Sequence, residues 1–314
     1  MAKAFIFPGQ GSQAVGMGKA LFDASAPARA VFAEVDGALS QPLSKLMFEG
    51  PEAELTLTAN AQPALMAVSL AAIRALEAEC GLDLARDAAF VAGHSLGEYS
   101  ALASAGALTI SDTARLLRIR GDAMQKAVPV GQGAMAALLG ADLDQARAIA
   151  QEAATAANGV CQVANDNGGG QVVISGAKTA VEKAIDIAKD KGIKRAVLLP
   201  VSAPFHCALM QPAADAMRAA LATTAIAAPK APVVANVTAA PVTEPEEIRR
   251  LLVEQVTGTV RWRECVAYMA EAGVDTFVEC GAGKVLTGLL KRIAPAAQGL
   301  AVGAPADLDA YRRF

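Results

Sequence analysis

Histidine is the scarcest titratable side chain in this 314-residue chain: His94 and His206 are the only two. The sequence holds no H-E-x-x-H and no Cys/His cluster, so neither a structural nor a catalytic zinc site is expected, and no metal is assigned. The five cysteines, Cys80, Cys161, Cys207, Cys265 and Cys280, include no C-x-x-C pair and are odd in number, which fits a reduced, cytoplasmic setting. No apolar run reaches the ~18 residues a membrane span needs. The opening stretch "MAKAFIFPGQG" has one lysine and then a strand-like run that meets Pro8. It lacks an h-region and a cleavage site, so it is not expected to be a signal peptide. Charge of one sign is missing as well. A net charge of -3 gives no broad basic surface and argues against nucleic acid, while leaving room for a local basic patch facing an acidic partner.

What is abundant is apolar: 54% of residues are hydrophobic and 19% charged, enough for a sizeable core in one large domain or two modest ones. Strand-like runs alternate with helical ones. "KAFIF" is followed by helices to about residue 75, then "AAFVA", a helix near 112–127, and later "VDTFVE" before "KVLTGLLKRI". That alternation predicts an α/β fold with a mainly parallel sheet. Residues 133–200 differ. "AMAALLG", "VCQVAN", "QVVISG" and "KRAVLLPV" read as strands and two intervening amphipathic runs as helices, in the order β-α-β-β-α-β. This is the ferredoxin-like pattern. We therefore expect a large α/β domain over residues 1–130 and 201–314, with 131–200 as an inserted ferredoxin-like subdomain. "ATTAIAAPKAPVVANVTAAPVTEPEE" reads as loops around a strand.

Gly93-His94-Ser95-Leu96-Gly97 matches G-x-S-x-G between a strand-like and a helix-like run. On a nucleophile elbow the serine is strained, bulk two residues away on either side would clash, and the next helix turns its N–H groups toward a developing oxyanion. The plainer alternative is that Ser95 is a helix N-cap. A serine needs a base. His94 adjoins Ser95 and, on a strand, would point to the other face, which leaves His206 in "VSAPFHCALM". No aspartate stands out as a third member. "FPGQG" offers a tight loop whose Gln10 N–H could approach a substrate oxygen. Its glycines fail the G-x-G-x-x-G spacing at Ala14, and "CGAGKV" fails the phosphate-loop pattern at Val278 and Val285.

At about 100° per residue, the helix "SDTARLLRIRGDAMQKAV" has Leu116, Leu117, Ala123, Met124 and Ala127 on one stripe, with Arg120 in its middle. A guanidinium there needs an anion. Either an Asp or Glu of the protein supplies it, or a carboxylate arrives with the substrate and meets Arg's planar fork.

These blocks together, "FPGQGSQ", "GHSLGEYSAL", "RG..M" at Arg120–Met124, "APFHCALM" and "ECGAGKVLTGL", resemble the malonyl-CoA:acyl carrier protein transacylase family of type II fatty acid synthesis, in the family's order from residue 5 to about 290. The resemblance implies an α/β-hydrolase-like large domain with the ferredoxin-like insertion. It implies that Ser95 carries a malonyl ester and that His206 is its base and acid, oriented by the backbone carbonyl of Gln255. It further implies that Gln10 and Leu96 give N–H groups to the oxyanion, that Arg120 holds the malonyl carboxylate, and that Gln10, Met124, Asn165 and Phe205 line the substrate site. Ala203 departs from the valine usual before Pro-Phe-His. The expected partners are malonyl-CoA and acyl carrier protein, with CoA entering as substrate and no separate cofactor. Arg115, Arg118 and Lys126 are candidates for docking an acidic carrier, against the plainer reading of a solvated helix face. The competing functions are a serine hydrolase, a non-catalytic carrier-binding scaffold, and an acyltransferase for methylmalonyl groups or polyketide assembly.

Overall fold

The computed structural model describes residues 2–313 and holds ten strands among them. They are β1 (Ala2–Phe7), β2 (Ala88–Gly93), β3 (Gly133–Leu139), β4 (Cys161–Asp166), β5 (Gln171–Ala177), β6 (Arg195–Leu198), β7 (Val233–Val234), β8 (Pro241–Val242), β9 (Val274–Cys280) and β10 (Gln298–Val302). Six form one sheet in the order β10-β9-β1-β2-β7-β8. All its pairings are parallel except β7 with β8. Central parallel strands are covered on both faces by helices and therefore read as continuous apolar runs, as "AFIF" and "TFVEC" do. Phe5 and Phe7 face the larger core, while Ala4 and Ile6 face a second one around Trp262. The predicted α/β class with a mainly parallel sheet is what folds.

The other four strands form an antiparallel sheet in the order β4-β5-β3-β6. Two helices, Leu143–Ala157 and Lys178–Asp190, connect β3 to β4 and β5 to β6. Side chains alternate across it. Ala136, Leu138, Val172 and Ile174 pack with those helices in a core of their own, whereas Met135, Ala137, Ala164 and Val173 join the core of the large unit. The β4 edge is sealed by segment 260: Val260 N–H donates to Ala164 O and Asp166 N–H to Val260 O. The loop-rich stretch around 230–242 holds the two-residue strands β7 and β8, as its proline content requires. Among the described residues, no helix is long and apolar enough to cross a membrane, and no three His, Cys, Asp or Glu side chains gather to hold a metal.

Candidate active site

Ser95 lies two residues beyond β2, at the carboxyl end of the central strands, and takes φ +54°. Positive φ is uncommon for a residue with a Cβ and must be enforced by its surroundings. The two flanking glycines permit it. A Cβ on Gly93 would lie 1.9 Å from the Gly97 carbonyl, and one on Gly97 would lie 2.3 Å from Phe7 O. The helix Gly97–Ser104 begins two residues after the serine, so its first N–H groups face the hydroxyl's surroundings. Asn236 clasps the turn: it accepts from Ser95 N–H at 2.8 Å and donates from Nδ2 to Gly93 O at 2.8 Å. An N-cap serine would use its hydroxyl to accept from its own helix, and here no such bond exists: Leu96 is the cap residue.

The hydroxyl instead donates to His206 Nε2 at 2.7 Å. His206 is itself at φ +57°, and it is 3% exposed. Its Nδ1–H donates to Gln255 O at 2.9 Å. A carbonyl can only accept, so that bond puts the ring proton on Nδ1 and leaves Nε2 as the acceptor. Burial first, and then the Arg120 charge, push the imidazole down to about 3, so it is neutral at physiological pH. His94 does not touch the serine. Its Nε2 meets Asn167 Oδ1 at 2.8 Å and its ring lies beside Trp262.

Arg120 is 1% exposed, and no Asp or Glu lies within ion-pair distance of it among the described residues. Its Nη1 donates to Gln62 Oε1 at 2.8 Å. Its Nη2 donates to Gln255 Oε1 at 2.9 Å and to Ser95 Oγ at 3.2 Å. The guanidinium also sits over the Tyr99 ring, 5.7 Å from its centroid. Burial lowers its pKa, and Tyr99 and Glu98 pull it back. The cation is thus held by neutral oxygens and a ring, an arrangement that positions a charge without cancelling it.

Ser95, His206 and Arg120 open into one cavity of about 510 Å³, which Gln10, Leu96, Met124, Asn165 and Phe205 also line. The Gln10 and Leu96 N–H groups have no protein partner among the described residues. The Gln10 side chain is fixed separately, accepting from Thr58 Oγ1, which in turn accepts from Gln62 Nε2. A second groove of about 650 Å³ between β4 and the helix Trp262–Glu271 holds Arg147, Arg261 and Arg263. Each already pairs with an acid, and no nucleophile lies there.

Arg118, expected on a solvated helix face, is half-buried and donates to Asn60 Oδ1 and Gln41 Oε1, side chains that reach it from a neighbouring helix and turn. Arg115 is exposed and pairs with Asp112. Sequence reasoning missed Gln62, Glu98, Asn167 and Asn236. Only Glu98 had a local signal, a carboxylate on a run of small residues that folds into a wholly buried helix. The segment "ECGAGKV", which failed as a phosphate loop, has a different logic: Glu279 accepts from Leu286 and Thr287 N–H and caps the helix Val285–Ile293.

A family model described as "Acyl transferase domain" matches residues 4–302. Malonyl CoA-acyl carrier protein transacylase of Escherichia coli (strain K12) is 47% identical over 309 residues, covering 98% of this chain and 97% of that protein. The crystal structure of acyl-carrier-protein-S-malonyltransferase from Bartonella henselae is 58% identical, with a TM-score of 0.97 over 100% of this chain and 99% of the other. A malonyl-transacylase solved in complex with its type II PKS acyl-carrier protein is 42% identical, with a TM-score of 0.95 over 100% of this chain and 99% of that one.

Proposed function

We propose a course of reaction from one premise: the chain belongs to the acyl transferase family and, within it, to the malonyl CoA-acyl carrier protein transacylases. It is an acyltransferase of fatty acid synthesis that moves a malonyl group from malonyl-CoA to acyl carrier protein. The observation that supports the residue roles is Ser95 Oγ lying between the His206 acceptor and a buried Arg120 with no carboxylate partner.

Ser95 Oγ attacks the thioester carbonyl as His206 Nε2 takes its proton. The Gln10 and Leu96 N–H groups receive the oxyanion, each such donor typically worth ~10²–10³ in rate. The C–S bond then breaks and His206 returns the proton to the CoA sulfur, leaving malonyl-Ser95. In the second half His206 takes the proton of the carrier's phosphopantetheine thiol, the sulfur attacks the ester, and Ser95 Oγ leaves with that proton. Arg120 binds the malonyl carboxylate. Because the Arg120 charge is, after burial, the second cause of the depressed imidazole, a carboxylate placed on it also returns part of its basicity to His206. The correct acyl group thereby strengthens its own base. Gln255 orients His206, and Met124, Asn165 and Phe205 shape the acyl and pantetheine space. CoA enters as substrate, with no separate cofactor. We read residues 131–200 as an inserted ferredoxin-like subdomain, the large unit as α/β-hydrolase-like, and the location as cytoplasmic.

The test is intact-protein mass spectrometry after brief mixing with malonyl-, acetyl- and methylmalonyl-CoA in competition, followed by a carrier protein. The expected result is a malonyl adduct on Ser95 that moves to the carrier's thiol. An adduct lost to water with the carrier unloaded would replace the transferase by a hydrolase.

A further inference from the structure

Beneath the nucleophile lies a buried carboxylate that the reaction above does not use. Glu98 is 2% exposed, and its Oε2 accepts from Asn236 N–H at 2.9 Å and from Gln255 Nε2 at 2.9 Å. The same Gln255 Nε2 reaches Ser95 O at 3.0 Å and Asn236 Oδ1 at 3.3 Å. At the other end of that amide, Oε1 accepts from Arg120 Nη2. The amide thus has acceptors only on one side and a donor on the other. Turned over, it would set N–H against the guanidinium and oxygen against three oxygens. Burying unmet polar groups in this way is costly.

We propose that Glu98 is a positioning residue for acyl selectivity: by accepting from Gln255 Nε2 it locks the Gln255 amide in the orientation that presents Oε1 to Arg120 and keeps the guanidinium aimed at the bound acyl group. A carboxylate paired directly with Arg120 would hold it too, but would occupy the fork the substrate needs. Placing the carboxylate one amide away fixes the arginine and leaves its fork unneutralised. The role asks for an acceptor oxygen rather than a charge. Burial pushes the Glu98 carboxyl up to about 7, and a protonated carboxyl still offers Oε2 as acceptor.

This inference rests on the proposed role of Arg120, and the experiment separates the two. The ratio of malonyl to acetyl loading on Ser95 is measured in wild type, Glu98→Gln, Glu98→Met, Gln255→Met and Arg120→Ala. Loss of the Gln255 Nε2–Glu98 hydrogen bond, which steadies the amide facing Arg120, predicts a fall of about tenfold in that ratio for Glu98→Met, carried mainly by a higher KM for malonyl-CoA, while the Asn236 N–H orphaned by the same change acts on malonyl and acetyl loading alike and cancels in the ratio. Glu98→Gln, which keeps an acceptor oxygen, stays within about twofold of wild type. Gln255→Met matches Glu98→Met and serves in its place where the latter fails to fold. A Glu98→Met/Gln255→Met double variant, measured alongside, loses no more than either single one, because both break one relay. An unchanged ratio in Glu98→Met, equal losses of malonyl and acetyl loading, additive losses in the double variant, or a Glu98→Gln as impaired as Glu98→Met would each overturn the proposal. An unchanged ratio in Arg120→Ala would instead overturn the carboxylate role on which it stands.

Discussion

Into one cavity the six-stranded unit and the chain returning to it bring Ser95, Arg120 and His206, whereas the four-stranded unit brings Met135, Asn165, Asn167, Gln171 and Val173. Everything able to attack, take a proton or carry charge comes from one side. The other side offers neutral amides and apolar surface. The topology explains the division. Parallel strands end together, and their loops lead into helix N-termini, so free N–H groups and strained turns gather at one edge. An antiparallel sheet pairs its own backbone and offers only what its side chains carry. Chemistry therefore belongs to the parallel sheet, and shape to the antiparallel one.

The hardest test of that division is Ser95→Ala. It should abolish the acyl-enzyme and cut turnover by about 10⁴-fold or more, and an adduct persisting elsewhere in the mass spectrum would move the nucleophile. The pH profile comes next. A base near its ordinary 6.5 would lose about 100-fold in kcat/KM across the two pH units below that value. With His206 pushed down to about 3, kcat/KM should stay flat across that window. A limb near 6.5 would mean that the ring is solvated in the working enzyme. Stability follows a different course. The His206 contribution is complete above 6.5 and is lost as pH falls toward 3, whereas that of Glu98, raised from 4.5 to about 7, is complete below 4.5 and is lost as pH rises through 7. Thermal melts across pH would separate the two slopes.

Arg120→Ala should lower malonyl kcat/KM by about 10–100-fold while some acetyl transfer persists, as expected for loss of a charge-assisted bidentate pair. On the other side of the cavity, Asn167→Ala removes the His94 partner and should raise KM by about tenfold or less with kcat nearly unchanged. A large fall in kcat there would blur the division between the two units. Arg115→Ala, at an exposed pair with Asp112, should shift stability by no more than about 0.5 kcal/mol and leave transfer to the carrier unaltered.

Much of this site was legible along the chain because its signals are local. The glycine spacing around Ser95, the elimination of His94 and the helical phase of Arg120 each need only neighbouring residues. The alternation of strands and helices, and the β-α-β-β-α-β order between Gly133 and Leu198, were readable for the same reason. The supporting polar groups were not. Asn236 lies 141 residues from the serine it holds, and Gln62 lies 58 from the arginine it steadies. A buried amide inside an apolar helix, such as Gln62 in Thr58–Cys80, looks like a packing irregularity until the fold brings its partner in. The positive φ of His206 had no local signal either, since neither neighbour is glycine. The contacts that tie down Arg118 come from Asn60 and Gln41, and helical phase alone placed that residue in solvent.

The bond between His206 and Gln255 uses a main-chain oxygen. In an Asp-containing triad the third member is a side chain, and one codon change removes it. Here the acceptor is common to all twenty residues, so no single substitution deletes it. A scan of position 255 would report on the side-chain amide, its grip on Arg120 and its bonds to Glu98, Asn236 and Ser95 O, and would miss the carbonyl altogether. That oxygen could be displaced only by shifting the end of the helix Pro245–Thr257, which makes helix placement, rather than residue identity, the quantity that selection can act on.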